Sequence, residues 1–137
     1  MKNMGFSELE HTADWALKVW APDLSSLFEQ AARGMYALME APIDEQAPHA
    51  SHQMEIQGSD AESLLVAFLA ELLYLADRQG LAFNQFNLDV WPEHLHAWLE
   101  GGPFTSQRKE IKAVTYHNLK IDQREDGLLE VVIVFDV

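Results

Sequence analysis

Two acids in this sequence are candidates for holding a metal ion. Asp14 closes the early stretch "HTAD" (residues 11–14), and Asp136 stands beside Val137 at the close of "EVVIVFDV" (residues 130–137). The apolar run from Val131 to Phe135 has the β-branched composition of a strand buried on both faces. Such a run is expected to tie the tail into a sheet, since untied termini fray. Asp136 and an α-carboxylate on Val137 then lie one residue apart at a strand end. If that strand is central and the 11–14 turn lies beside it, Asp14 joins them. Two carboxylates about 4 Å apart repel by about 4 kcal/mol at an effective dielectric of roughly 20. Proteins relieve that repulsion by protonating one group or by binding a cation. Aspartates, a terminal carboxylate and water form an all-oxygen set that suits a hard ion, calcium or magnesium, rather than zinc. Isolated acids at strand ends are commonplace, so the residues alone favour Asp14 capping a turn and Asp136 lying in water.

Other chemistry is less well provided for. His49 and His52 form H-x-x-H in a loop, and His94 and His96 share a strand face, but neither pair has a nearby third ligand for zinc. His11 and His117 sit at expected strand ends and read as hydrogen-bonded side chains. The chain has no G-x-S-x-G, no phosphate-binding G-x-x-x-x-G-K-[ST] and no G-x-G-x-x-G. Lys112 stands out as a base in a chain short of them; a solvated strand lysine is the ordinary outcome, and contact with an acidic cluster or a phosphate is the alternative. Zero cysteines exclude disulfides, thiolate metal sites and cysteine nucleophiles. Nine Lys and Arg against 22 Asp and Glu give a net charge of −13. That balance disfavours a direct grip on a nucleic-acid backbone and favours a cation or a basic protein partner. The N-terminal residues carry no secretion signal, and Glu71 interrupts the most apolar helical stretch, so a cytoplasmic protein without a membrane span is expected.

These residues must be positioned by a modest set of elements. A chain of 137 residues with 48% apolar content suits one compact domain. "GFSELEH" and "WALKVW" read as strands meeting at His11–Asp14. Asp23 is a plausible N-cap for a helix to about Met39, with Leu24, Leu27, Phe28, Ala31, Met35 and Leu38 on one face. Ser59 and Glu62 resemble a capping box for a second helix, which Gly80 stops. "QMEIQ", "AFNQFNLDVW", "HLHAWLE" and "EIKAVTYHNLKI" alternate as strands, with a Gly-Gly-Pro turn at 101–103 and a hairpin turn at Asp126-Gly127. The expected class is α+β: two helices packed on one face of a mainly antiparallel sheet.

"HTAD" at 11–14, "LLVAFLAELLYLAD" at 64–77, "IKAVTYH" at 111–117 and the closing "VFDV" together resemble the archease family, over residues 5–137. One departure is visible in the second helix, where the family usually has Trp and Asn and this chain has Phe68 and Ala70. The resemblance implies a single α+β domain that is not itself an enzyme. It implies an activator of the GTP-dependent RNA-splicing ligase of the RtcB type, acting in tRNA maturation. The family promotes guanylylation of the ligase's active-site histidine and so restores it for multiple turnover. RNA would be met only indirectly, through that protein partner. Carried over by position, Asp14 and Asp136 are the metal-binding acids, and Val137 adds a main-chain or terminal oxygen to a calcium-like divalent ion. His11, Glu71 and Lys112 fall in the family's motifs and line the functional surface. Other readings are a chaperone of a tRNA methyltransferase and a stand-alone metal-dependent hydrolase with His117 as base.

Overall fold

Gly5–Leu9 (β1) and Trp15–Ala21 (β2) open the chain as an antiparallel pair, with Leu9 opposite Ala16 and Gly5 opposite Trp20. The computed structural model describes residues 3–9 and 15–137. Leu24–Met39 (α1) follows, capped by Asp23, whose side chain accepts from the Ser26 N–H at 2.8 Å. Its apolar positions recur every three or four residues, so Leu27, Phe28, Ala31, Met35 and Leu38 are buried together. It ends at Glu40, whose backbone is left-handed (φ 49°).

Ala50–Gln57 (β3) leads to Ala61–Gln79 (α2). The cap of α2 is Asp60, not Ser59: Asp60 Oδ1 accepts from the Ser63 N–H at 2.8 Å. Glu62 is thereby free of capping, and its Oε2 instead accepts from the distant Ile121 N–H at 3.0 Å. Gly80 stops α2 in the left-handed conformation, φ 65°, that glycine adopts without strain.

Leu81–Trp91 (β4) and His94–Pro103 (β5) form a long antiparallel pair, and β3 lies on the other side of β5. Residues 101–103 are not a turn. Gly101 lies inside β5 opposite Phe83, where the β4–β5 register shifts between Phe83 and Gln85. A Cβ on Gly101 would fall 2.1 Å from the Ala82 carbonyl oxygen, so the glycine serves close strand approach at a bulge.

Ala113–Val114 (β6), Asp122–Gln123 (β7) and Leu129–Asp136 (β8) complete the chain. β8 is central: β2 pairs with it along seven residues on one side, while β6 and β7 share the other. The single long strand expected over 110–121 does not form. The chain leaves β8 after Thr115, turns through a Leu119-to-Tyr116 backbone bond with Asn118 left-handed (φ 50°), and returns as β7. Asp126-Gly127 then closes the β7–β8 hairpin as expected, with Gly127 at φ 90°.

The class is α+β with two helices on mainly antiparallel strands. These strands divide into two sheets, and α1 packs against both, meeting β1 and β2 of one and β4 of the other. Phe28 of α1 stacks on Phe68 of α2, with ring centres 5.9 Å apart, at the centre of one continuous apolar core. β8 presents Val131, Ile133 and Phe135 to that core. Its other face is only partly covered, because Val132 is 36% exposed while Val134 is buried. β8 is thus fully buried on one face and only partly on the other.

Candidate functional site

Burial of Ile133 and Phe135 fixes where the last residues of the chain go. Phe135 lies opposite Trp15 of β2, and Asp136 lies opposite Ala113 of β6. The Lys112 N–H donates to the Asp136 carbonyl at 2.8 Å, and the Thr115 N–H donates to Val134 at 3.0 Å. Asp136 is exposed and Val137 is half-buried against the core. The Asp136 main chain is therefore held in the sheet while its carboxylate faces solvent.

Asp14 and His11 lie outside the described residues. Asp14 precedes Trp15 in sequence as Asp136 follows Phe135, and Trp15 and Phe135 are paired. Among the described residues, no group of three or more His, Cys, Asp or Glu is placed to hold a metal ion. The described donors at this end, the Asp136 carboxylate and the Val137 main chain, offer oxygen alone, which suits a hard cation such as calcium. They make an incomplete set for one, so the fit depends on oxygens from elsewhere.

Basic residues gather at the same end. Lys112 is exposed beside Asp136. Lys109, which the sequence pattern did not single out, places its Nζ over the Trp15 ring at 5.3 Å. Arg108 is tied to the end of α1, through its N–H to the Met39 carbonyl at 2.8 Å and its guanidinium to Glu40 at 2.6 Å. Glu40, and Glu8 more distantly, hold that guanidinium in its charged form beyond its ordinary range. Three of the nine Lys and Arg residues fall within residues 108–112; Lys112 and Lys109 are tied to the end of β8 through Asp136 and Trp15, and Arg108 to the end of α1. The signal available in sequence was "RKEIK" itself, the densest basic stretch of an acidic chain.

Glu71 is half-exposed on α2. His117 is exposed, with Nε2 3.3 Å from Asn118 Nδ2. The other histidines disperse: His49 meets Glu100 at 2.7 Å, and the His52 ring lies 6.2 Å from Phe83. No helix of the described residues is long and apolar enough to cross a membrane.

The model of the Archease protein family (MTH1598/TM1083) matches residues 6–137. Protein archease of Methanopyrus kandleri is 33% identical over 133 residues, covering 90% of this chain and 93% of that protein. Protein archease of Pyrococcus furiosus is 31% identical over 136 residues, covering 93% and 95%. The solution structure of Methanobacterium thermoautotrophicum protein 1598 superposes with a TM-score of 0.67 over 100% of both chains, at 28% identity. The crystal structure of a Thermotoga maritima archease, described as a possible chaperone, gives 0.70 over 94% of each chain at 22% identity, a likeness of fold.

Proposed function

This chain belongs to the archease family, and on that premise we propose that it is an accessory protein which activates a GTP-dependent RNA-splicing ligase of the RtcB type. Membership supports an accessory, chaperone-like role rather than catalysis by the chain itself. The finer reading is that it promotes guanylylation of the ligase's active-site histidine and so sustains multiple turnover in tRNA processing.

The observation that carries this reading is the anchoring of Asp136 beside Lys112 at the end of the central strand. Strand pairing and the burial of Phe135 fix the backbone, and the exposed carboxylate has no hydrogen-bond or ion-pair partner among the described residues. In the proposed site Asp136, Asp14 and a Val137 oxygen hold a divalent ion, with calcium favoured by the all-oxygen donors. Such an ion supplies a concentrated positive charge for phosphate oxygens. Lys112 and Lys109 extend that positive field beside it, and the acidic remainder of the chain suits docking on a basic ligase surface. His11 and Glu71 belong to the proposed surface on the family's pattern alone.

The test is to incubate the protein with ligase, GTP and manganese and follow the guanylylated ligase over time. Wild type accelerates its formation, and Asp136→Ala removes the acceleration while remaining folded. Full acceleration by the variant would refute the site.

A further inference from the structure

None of the nine Lys and Arg residues lies in β3, β4 or β5. One face of this three-stranded sheet, bearing Met54, Leu88, Leu95, Ala97 and Leu99, is buried in the core. Among the described residues no helix covers the opposite face, which carries both acids and aromatic rings. Register places His96 between Glu55 and Asp89, and Trp98 between Gln53 and Asn87. Trp98 is 41% exposed and Trp91 51%.

Trp98 is held in place rather than loosely displayed. The His96 ring lies against it with centres 3.8 Å apart, and His96 Nε2 is fixed by Gln53 Nε2 at 2.8 Å. The indole separates two shallow depressions of about 410 and 340 Å³. Glu100 lines both, and its Oε1 meets His49 Nε2 at 2.7 Å.

We propose that this face docks an arginine-bearing basic segment of a partner protein, with a guanidinium laid on the Trp98 indole and bonded to Glu100. A planar guanidinium stacks flat on an aromatic ring while its fork of donors bonds a neighbouring carboxylate; an ammonium can lie over a ring but lacks the flat face and the fork. Single-stranded nucleic acid also stacks on indoles, but its phosphates would meet Glu55, Asp89 and Glu100 with no Lys or Arg on these strands to offset them. A second copy of the chain, related by a two-fold axis, would set the same acids against themselves. This surface is separate from the acid-bearing end of β8, and the inference does not require the partner to be an RNA ligase.

The test uses labelled oligo-arginine and oligo-lysine peptides of equal length, titrated with the whole protein in fluorescence anisotropy at fixed moderate salt. The arginine peptide binds more tightly than the lysine peptide, and Trp98→Ala or Glu100→Gln weakens it about tenfold. Trp98→Phe, which keeps an aromatic face, retains most of the affinity. Circular dichroism confirms that these surface variants fold. Equal binding of the two peptides, or arginine binding indifferent to Trp98→Ala, would overturn the proposal by reducing it to diffuse charge attraction. Trp98-dependent binding of a single-stranded RNA oligonucleotide in place of the arginine peptide would also overturn it.

Discussion

Lys112 and Asp136 are joined backbone to backbone, the Lys112 N–H donating to the Asp136 carbonyl across 2.8 Å. A base and an acid are thereby set side by side at the end of the central strand while both side chains stay exposed. The register that creates this pairing is fixed by the alternate burial of Val131, Ile133 and Phe135, since a slip of one residue would turn all three outward. The geometry of the polar end thus rests on apolar packing behind it.

Phe135 should therefore matter far more to stability than its neighbour on the open face. Phe135→Ala removes a fully buried ring and is expected to cost about 3–5 kcal/mol. Val132→Ala, at a 36% exposed position, should change stability by about 0.5 kcal/mol or less. Urea unfolding measures both. Equal losses would show that β8 is buried on two faces after all.

Asp60 supplies a pH-dependent contribution to α2. Its carboxylate accepts from the Ser63 N–H and hydroxyl, which hold its pKa below the ordinary 3.8. A depressed acid stabilises the fold above its unfolded value, and that stabilisation is lost as pH falls through the folded value. Asp60→Ala should lower Tm at neutral pH, and the gap to wild type should close as the solution is acidified below 3.8. Ser59→Ala should leave Tm unchanged at either pH.

Tyr36 carries a buried hydroxyl near the Phe83 backbone but outside hydrogen-bonding geometry to any partner among the described residues. Burial holds this phenol protonated well above its ordinary 10.0, with the Phe83 backbone pulling weakly the other way. Tyr36→Phe removes the unsatisfied group and should be neutral or stabilising, by up to about 1–3 kcal/mol. A raised pKa contributes stability that is intact below the unfolded value and lost as pH climbs through the folded one. Wild type should therefore weaken relative to Tyr36→Phe as pH rises past 10.0. Chemical unfolding at neutral and alkaline pH checks both statements.

Local chemistry was legible in the sequence where a single residue type has a single backbone use. Asp23 as a cap, Gly80 as a helix stop and Asp126-Gly127 as a hairpin turn all stand where their side chains, or lack of them, required. Alternation at Leu95, Ala97 and Leu99 likewise showed which face of β5 is buried. Period-two patterns say which face is inward but not which strand lies alongside, so the division into two sheets was not visible. Gly101 misled because glycine serves both turns and close strand approach, and only the proximity of Ala82 distinguishes them. Ser59 resembled a cap because Glu62 follows at the right spacing, yet Glu62 is engaged by Ile121, far away in sequence. For the candidate site, Asp136 and Lys112 were legible as residue types, and their adjacency was not. Lys109 over Trp15 arises wholly from the tertiary path of residues 104–112.

The central claim is that the end of β8 contributes to a divalent-ion site. Calorimetric titration of the metal-free protein with calcium, on wild type and Asp136→Ala side by side, tests it most directly. Wild type should bind one ion per chain and Asp136→Ala should lose that binding with its Tm unchanged. Undiminished calcium binding by Asp136→Ala, or no binding by wild type, would contradict the account.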